Sequence, residues 1–153
     1  MKHLKSPHIS LLVFLLVFYS GCASKKTYLD EHVKLARNIK LFNADFESRS
    51  VGVSSLLVKS DLRENYMMKA PDIKQNITFD ESSIIKIEYL KSGLPIKLSG
   101  NIPAEDFNEC VVTLRYRMVV LPNNKLETRI VRQKWVQEGE DWVVVPDLES
   151  FSR

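Results

Sequence analysis

The sequence predicts an α+β domain in which N-terminal helices pack on a curved, cone-like antiparallel β-sheet. Apolar residues recur at spacings of three and four before Pro71, whereas from Ile77 onward they alternate with a period of two and β-branched residues dominate. A length of 153 residues with 44% hydrophobic content suits one core and makes two domains improbable. The 27% charged fraction, 5 Gly and 6 Pro exclude collagen-like, low-complexity and wholly disordered chains.

The N-terminus has the pattern of a secretory signal peptide. Lys2 and Lys5 precede the apolar run Ile9–Tyr19, and the small residues Ser20 and Gly21 follow at once. The apolar run is roughly half of the ~20 residues that a membrane-spanning helix needs. We therefore predict a cleaved signal peptide over residues 1–21 rather than a membrane span.

The segment Tyr19-Ser20-Gly21-Cys22 resembles the lipobox of bacterial lipoproteins, although Tyr19 stands where that family most often has Leu. The resemblance implies that Cys22 carries a thioether-linked diacylglycerol and becomes the acylated first residue, which would anchor the protein stably. Ala23 after the cysteine, by resemblance to enterobacterial sorting, favours the outer membrane, facing the periplasm. The alternative is an ordinary secreted protein with an incidental cysteine at the boundary.

The charge of the mature chain is nearly balanced. Removing residues 1–21 removes two Lys and no acidic residue, so 20 basic and 19 acidic residues remain. Overall charge therefore gives no reason to expect a nucleic-acid partner. Residues 22–27 form a short polar tether that spans at most about 18 Å. We expect a single domain over residues 28–151 to lie close to the membrane surface.

The first elements after the tether are predicted to be helices. Thr27 and Asp30 resemble a capping box. The apolar face of the helix that follows is predicted to comprise Leu29, Val33, Ala36, Ile39, Phe42 and Phe46. Segments Asp45–Val58 and Ser60–Met68 predict one or two further short helices, which Pro71 is expected to end.

The remaining chain predicts five strands. Cys110 lies in one of them, and we expect a buried, inert thiol there. The predicted strands are Ile84–Leu90, Pro95–Ser99, Glu109–Leu121, Lys125–Gln137 and Trp142–Val145.

A hairpin is predicted around Asn123-Asn124, and it separates two faces of the sheet. Its predicted pairs are Leu121 with Leu126, Arg117 with Ile130 and Arg115 with Arg132. A tight turn at Glu138-Gly139-Glu140 places Trp135 and Trp142 on the same, core-facing side. That core face is predicted to hold Val112, Leu114, Tyr116, Met118, Val120, Val131, Trp135 and Trp142.

The opposite face of the hairpin is predicted to collect a basic stripe. Two interpretations remain open: a solvated face neutralised by acids such as Glu88 on a neighbouring strand, or a patch for anionic lipid headgroups or an acidic envelope protein. The stripe comprises Arg115, Arg117, Arg132 and Lys134, beside Thr113.

Two local patterns resemble the nuclear transport factor 2-like, cystatin-related α+β superfamily. One is Phe42-Asn43-Ala44-Asp45-Phe46 before the second helix, and the other runs from Lys134-Trp135 through Gly139 to Trp142 at the end of the sheet. The similarity covers roughly Tyr28–Phe151. It implies a cavity between helices and sheet, in which some members use a carboxylate and a tyrosine for catalysis while many only bind or dimerise.

Motifs for catalysis are not found in the sequence. His32 and Cys110 lie far apart and offer no metal-ligand spacing, and no glycine-rich phosphate loop or Gly-x-Ser-x-Gly elbow is present. We therefore expect no cofactor, and expect a non-catalytic interaction module in the cell envelope. The alternatives are a small-ligand-binding domain and a cryptic enzyme.

Overall fold

The computed structural model describes residues 28–48 and 50–151, in which three helices are followed by seven strands. The helices are α1 (Tyr28–Glu47), α2 (Gly52–Leu57) and α3 (Arg63–Asn76), with short 3-10 turns at Ser60–Leu62 and Glu149–Phe151. The strands are β1 (Ile77–Lys91), β2 (Leu94–Pro95), β3 (Leu98–Ser99), β4 (Ile102–Pro103), β5 (Glu109–Val120), β6 (Lys125–Glu138) and β7 (Asp141–Val145).

Five strands form an antiparallel sheet in the order β2-β1-β5-β6-β7, while β3 and β4 form a separate two-stranded sheet. The long strands β1, β5 and β6 pair along most of their length, and β2 and β7 pair only near the strand ends. The helices pack against this sheet, so the α+β prediction is confirmed.

The core lies between the helices and one face of the sheet. Trp135 and Trp142 are both fully buried, which confirms the prediction that they share the core face. The Phe42 ring of α1 meets the Trp135 ring edge-on, with 5.8 Å between centroids. Every residue predicted for the core face of β5 and β6 is buried. Alternation of burial along β5 and β6 follows from the period of two in the sequence.

The predicted register of the β5–β6 hairpin is wrong by two residues. Arg115 lies opposite Ile130 and Arg117 opposite Thr128, so Arg115 is not the partner of Arg132. The loop occupies residues 121–124, and Asn124 closes it in the left-handed conformation that Asn tolerates (φ 51°). Since a shift of two residues preserves the side of every side chain, the predicted faces survive.

The predicted strand Ile84–Leu90 is too short, because β1 begins at Ile77. Two register shifts interrupt its pairing with β5, one between Phe79 and Glu81 and the other between Ile84 and Lys86. Each bulge adds one residue and reverses the alternation, which hides the first half of the strand in the sequence pattern. The predicted strand Pro95–Ser99 is likewise replaced by β2, β3 and β4, which have two residues each.

The predicted apolar face of α1 is only half correct. Ile39, Phe42 and Phe46 are buried, but Leu29, Val33 and Ala36 are exposed. Their place against the sheet is taken by Leu35, Asn38 and Asn43. The two asparagines make buried hydrogen bonds, so a search for apolar residues alone misses them. Thr27 of the predicted capping box lies outside the described residues.

Pro71 does not end a helix. It lies inside α3, which continues to Asn76. Proline removes the N–H that would bond to the carbonyl of Met67, but Met67 is exposed and water can satisfy that carbonyl. Ala70 is buried and Ile73 packs on the core, so burial of this face stabilises the helix beyond the proline. The predicted segment Asp45–Val58 is divided between the end of α1 and α2.

No helix among the described residues combines the length and the apolar composition needed to cross a membrane.

Candidate functional site

The predicted lipidation site, Cys22, lies outside the described residues, but the structure shows where the chain enters the domain. Near its start, α1 packs beside the β6–β7 turn. The Nε1–H of Trp142 donates a 2.8 Å hydrogen bond to the Glu31 carboxylate, and Lys34 Nζ lies 2.8 Å from a carboxylate oxygen of Asp141. We call this part of the molecule, defined by the first turns of α1 and the β6–β7 turn, the entry end.

The four residues of the basic stripe lie on the sheet face opposite the core, and each has an acidic neighbour. Arg117 lies 2.6 Å from Asp80 and 3.4 Å from Glu81, and Arg115 lies 3.8 Å from Glu81. Two further ion pairs are Arg132 with Glu88 at 3.9 Å and Lys134 with Glu109 at 2.9 Å.

Four acids therefore accompany the four basic residues of the stripe. Asp80, Glu81 and Glu88 come from β1, and Glu109 comes from the start of β5. The pairs are largely exposed, so each stabilises the fold only slightly. Their main effect is to balance the charge of the face. Glu88 is the neighbour named in the first interpretation of the stripe.

The centre of the core contains three polar side chains that bind one another. The hydroxyl of Tyr116 donates to Asn43 Oδ1 at 2.8 Å, and Nε2 of Gln133 donates to the same oxygen at 2.7 Å. Asn43 Nδ2 in turn donates to the carbonyl of Ile39 at 2.8 Å. Buried polar groups are costly unless they are paired, and here they satisfy one another.

Tyr116 is held in its neutral form. Its burial, together with the nearby Glu47 carboxylate, raises the pKa of the Tyr116 hydroxyl far above its usual range. The hydroxyl is fully buried and already hydrogen-bonded to Asn43. It therefore serves as a structural donor near neutral pH.

A groove of about 410 Å³ lies between α1 and β1, above this network. Lys40 and Glu47 of α1 and Ser82 and Ile84 of β1 are among its lining residues. Burial raises the pKa of Glu47, and a hydrogen bond with Ser82 partly offsets this effect. Glu47 was missed in the sequence because it carries no motif. Only the fold brings it to Ser82.

A second groove, of about 320 Å³, lies beside Leu121 and Ile77, at the end of the sheet opposite the entry end. Arg129 lines it, donates to the carbonyl of Ser150 at 2.8 Å and pairs with Glu127 at 2.9 Å. Hydrogen bonds from Arg129 and Lys125 lower the pKa of Glu127 to about 2. The guanidinium is thus already engaged by groups of its own chain.

Within the described parts of the chain, no group of three or more His, Cys, Asp or Glu side chains could hold a metal ion. Cys110 is fully buried, as predicted, and burial raises the pKa of its thiol to about 12.

Comparison with known proteins gives no match: no protein-family model, no curated protein and no solved structure resembles this chain significantly. The site must therefore be interpreted from its own geometry.

Proposed function

We propose that the protein is a bacterial envelope lipoprotein, anchored through Cys22, whose domain is a non-catalytic interaction module. The observation that supports this function best is the filling of the space between helices and sheet. This space is occupied by five aromatic side chains that are each at most 2% exposed: Trp135, Trp142, Tyr116, Phe42 and Phe46. The hydroxyl of Tyr116 is bonded within the core, to Asn43, and the indole N–H of Trp142 is bonded to Glu31. Neither group is directed at a substrate, which favours binding through the surface.

The best-suited surface is the outer edge of β1. In the described structure, only Leu90 and Lys91 of this edge pair with another strand, β2. A strand edge without a neighbour offers backbone N–H and C=O groups to an extended segment of another protein. Ile84 and Ile85 are exposed on β1, and the α1–β1 groove adjoins Ile84. We propose that an envelope protein adds a short extended segment here.

The two bulges limit the length of the added segment. They fall at Asp80 and at Ile85, so regular pairing with β5 beside the groove extends from Glu81 to Ile84. A partner segment of about four residues fits between them, which favours a weak, reversible contact over the formation of a long shared sheet.

The anchor is tested by metabolic labelling with a radioactive fatty acid. The wild-type protein should be labelled and found in the outer-membrane fraction, and Cys22→Ser should be unlabelled and released. A wild-type protein without label would contradict the proposal of a lipid anchor.

The docking surface is tested by photo-crosslinking in intact cells. A photoreactive amino acid at position 85 should crosslink one specific envelope protein, and one at position 130, an exposed isoleucine position on β6, should not. Ile84→Lys should abolish the crosslink from position 85, because a charge on this edge opposes strand addition. Equal crosslinking from positions 85 and 130 would contradict the proposed edge.

A small-ligand-binding or enzymatic role is the second candidate, and one observation favours it. The half-buried Glu47 carboxylate adjoins the α1–β1 groove and influences the pKa of Tyr116. A small molecule that co-purifies with the wild-type protein and is lost from Glu47→Gln would support this candidate. The likeness to the nuclear transport factor 2-like superfamily, which would fit this role, stays a prediction.

A further inference from the structure

The segment between β1 and β5 exposes three large apolar side chains on a small hairpin. Leu94 is 72% exposed, Leu98 47% and Ile102 44%. These side chains belong to β2, β3 and β4. Gly93 (φ 81°) lies in the turn between β1 and β2, and Gly100 (φ 65°) lies in the turn between β3 and β4. We call this segment, residues 92–106, the apolar hairpin.

Two side chains of the apolar hairpin already serve the core, and the three exposed side chains are additional to them. Ile96 packs against the core, and Pro103 is buried. The backbone N–H of Ile96 donates to the carbonyl of Tyr89 in β1 at 3.1 Å, which attaches the hairpin to the sheet. Within the hairpin, the N–H of Ala104 donates to the carbonyl of Lys97 at 3.1 Å. The hairpin is thus fixed to the domain while Leu94, Leu98 and Ile102 remain in water.

The apolar hairpin lies at the entry end. Tyr89, just before it, has its ring 5.6 Å from the ring of His32 in α1 and 5.0 Å from that of Phe107, just after it. Phe107 stacks on Trp142 at 5.2 Å, and β4 packs against α1. Leu29 and Val33, one turn apart near the start of α1, are also exposed.

The chain length between the anchor and the domain limits how far this end can move from the membrane. The tether of six residues, Cys22–Thr27, precedes α1, and even fully extended it spans only about 18 Å. The charges of the hairpin region balance, with Lys91 and Lys97 against Glu105 and Asp106. Contact with lipid is therefore expected to depend on apolar burial rather than on charge.

We propose that Leu94, Leu98 and Ile102 insert into the interfacial layer of the membrane to which Cys22 is attached. This inference rests on the proposed lipoprotein function. Insertion holds the entry end against the lipid and directs the other end of the molecule, with Leu121 and Leu126, away from it. The lipid chain alone leaves the domain free to rotate about its tether, whereas a second contact fixes one orientation.

The test uses the unlipidated mature chain, residues 22–153 with Cys22→Ser, so that its result does not depend on lipidation. An environment-sensitive dye is attached at Leu98→Cys or, as the matched control, at Leu126→Cys, which lies at the far end of β6. Cys110 is buried and does not compete for the dye. With vesicles of phosphatidylethanolamine and phosphatidylglycerol, the dye at position 98 should shift to the blue and be quenched by lipids labelled in the interfacial region.

Two triple variants separate specific insertion from general stickiness. Replacing Leu94, Leu98 and Ile102 by Ser should weaken vesicle partition at least about tenfold, since three apolar side chains leave the lipid. Replacing Leu121, Leu126 and Ile130 by Ser should leave partition unchanged. Tryptophan emission checks that both variants are folded.

Several outcomes would overturn the inference. One is a water-like signal from position 98, and another is equal quenching at positions 98 and 126. A third is a dimer, observed by sedimentation, that is lost only when Leu94, Leu98 and Ile102 are replaced by Ser. That result would show that these side chains contact a second copy of the chain rather than lipid. Because fatty-acid labelling is measured separately, failure of the hairpin to insert and failure of Cys22 to be lipidated are distinguishable.

Discussion

The hydroxyl of Tyr116, in the middle of β5, donates a 2.8 Å hydrogen bond to Asn43 Oδ1 on α1. Gln133 of β6 donates to the same oxygen. One amide oxygen of the helix thus receives donors from two adjacent strands, which fixes the position of α1 along the sheet. Apolar contacts alone tolerate sliding, whereas a buried amide with defined partners does not.

The first prediction concerns this shared oxygen. Tyr116→Phe removes one hydrogen bond but leaves Asn43 bonded to Gln133, and should cost about 1 kcal/mol in the free energy of unfolding. Asn43→Ala leaves both donors without their acceptor and should cost about 2–3 kcal/mol. Urea denaturation of the two variants measures the difference. Equal losses, or a larger loss for Tyr116→Phe, would contradict the role of the shared oxygen.

The second prediction concerns the two tryptophans. Trp135→Ala and Trp142→Ala should each cost about 3–5 kcal/mol, because each removes a fully buried aromatic side chain and leaves a cavity. The folded wild-type protein should show the blue-shifted emission of buried indole. Emission typical of indole in water would show that the assigned strand faces are wrong.

The sequence predicts those parts of the fold in which one local rule applies throughout. β5 and β6 alternate without interruption, so their core face could be predicted even though the register was wrong by two residues. The first half of β1 could not be predicted, because two bulges reverse the alternation of its side chains between the two faces of the sheet. Asn38 and Asn43 have polar side chains at core positions, and only their tertiary partners explain why they are buried.

The candidate site is harder to predict than the fold. The basic stripe was found because its residues alternate along two strands, but Asp80 and Glu81, which pair with it, lie around a bulge that the pattern hides. Glu47 belongs to no motif, and its environment arises only when α1 packs beside β1. Local periodicity determines which side a residue faces, and contacts between elements determine its chemistry.

The third prediction concerns the pH dependence of Glu47. Burial raises its pKa above the ordinary value of 4.5, so the folded state binds this proton more tightly than the unfolded state. The stabilisation that Glu47 gives by binding this proton is therefore complete below its pKa in the unfolded state. It is lost as the pH rises through its pKa in the folded state. Glu47→Gln, which stays neutral, should be more stable than the wild type near pH 7.

Thermal unfolding across a pH series measures this effect. The advantage of Glu47→Gln should shrink as the pH falls below the ordinary pKa, because both proteins are then neutral at this position. Glu64→Gln, on α3, serves as the control at an exposed carboxylate. A variant that is less stable than the wild type at neutral pH would indicate that the ionised carboxylate has a stabilising partner.

The fourth prediction concerns the basic stripe. Because four acids balance its four basic residues, vesicle binding by the unlipidated mature chain should change little between neutral and anionic lipid, and little with salt. Replacing Glu81, Glu88 and Glu109 by Gln should strengthen binding to anionic vesicles, and salt should remove this added binding. Salt-sensitive binding by the wild type would instead support a patch for an anionic partner.

The last prediction concerns Cys110, whose thiol is fully buried. Burial raises its pKa to about 12, and the nearby Glu88 carboxylate adds to the shift. Near pH 8 the thiolate fraction is then about a thousandfold smaller than for an unperturbed thiol, and only the thiolate attacks a disulfide reagent. In Cys22→Ser, a thiol reagent should therefore leave the folded protein unreacted and modify one thiol after unfolding in guanidinium chloride.

The same shift predicts a loss of stability in alkali. The folded state keeps the thiol proton up to about pH 12, whereas the unfolded state loses it near 9.0, so stability from this group falls as the pH rises between these values. Cys110→Ala lacks the ionisable group, so its unfolding free energy should fall less steeply over that interval. Equal slopes for both proteins, or rapid reaction of the folded thiol, would mean that β5 opens at Cys110 in the native state.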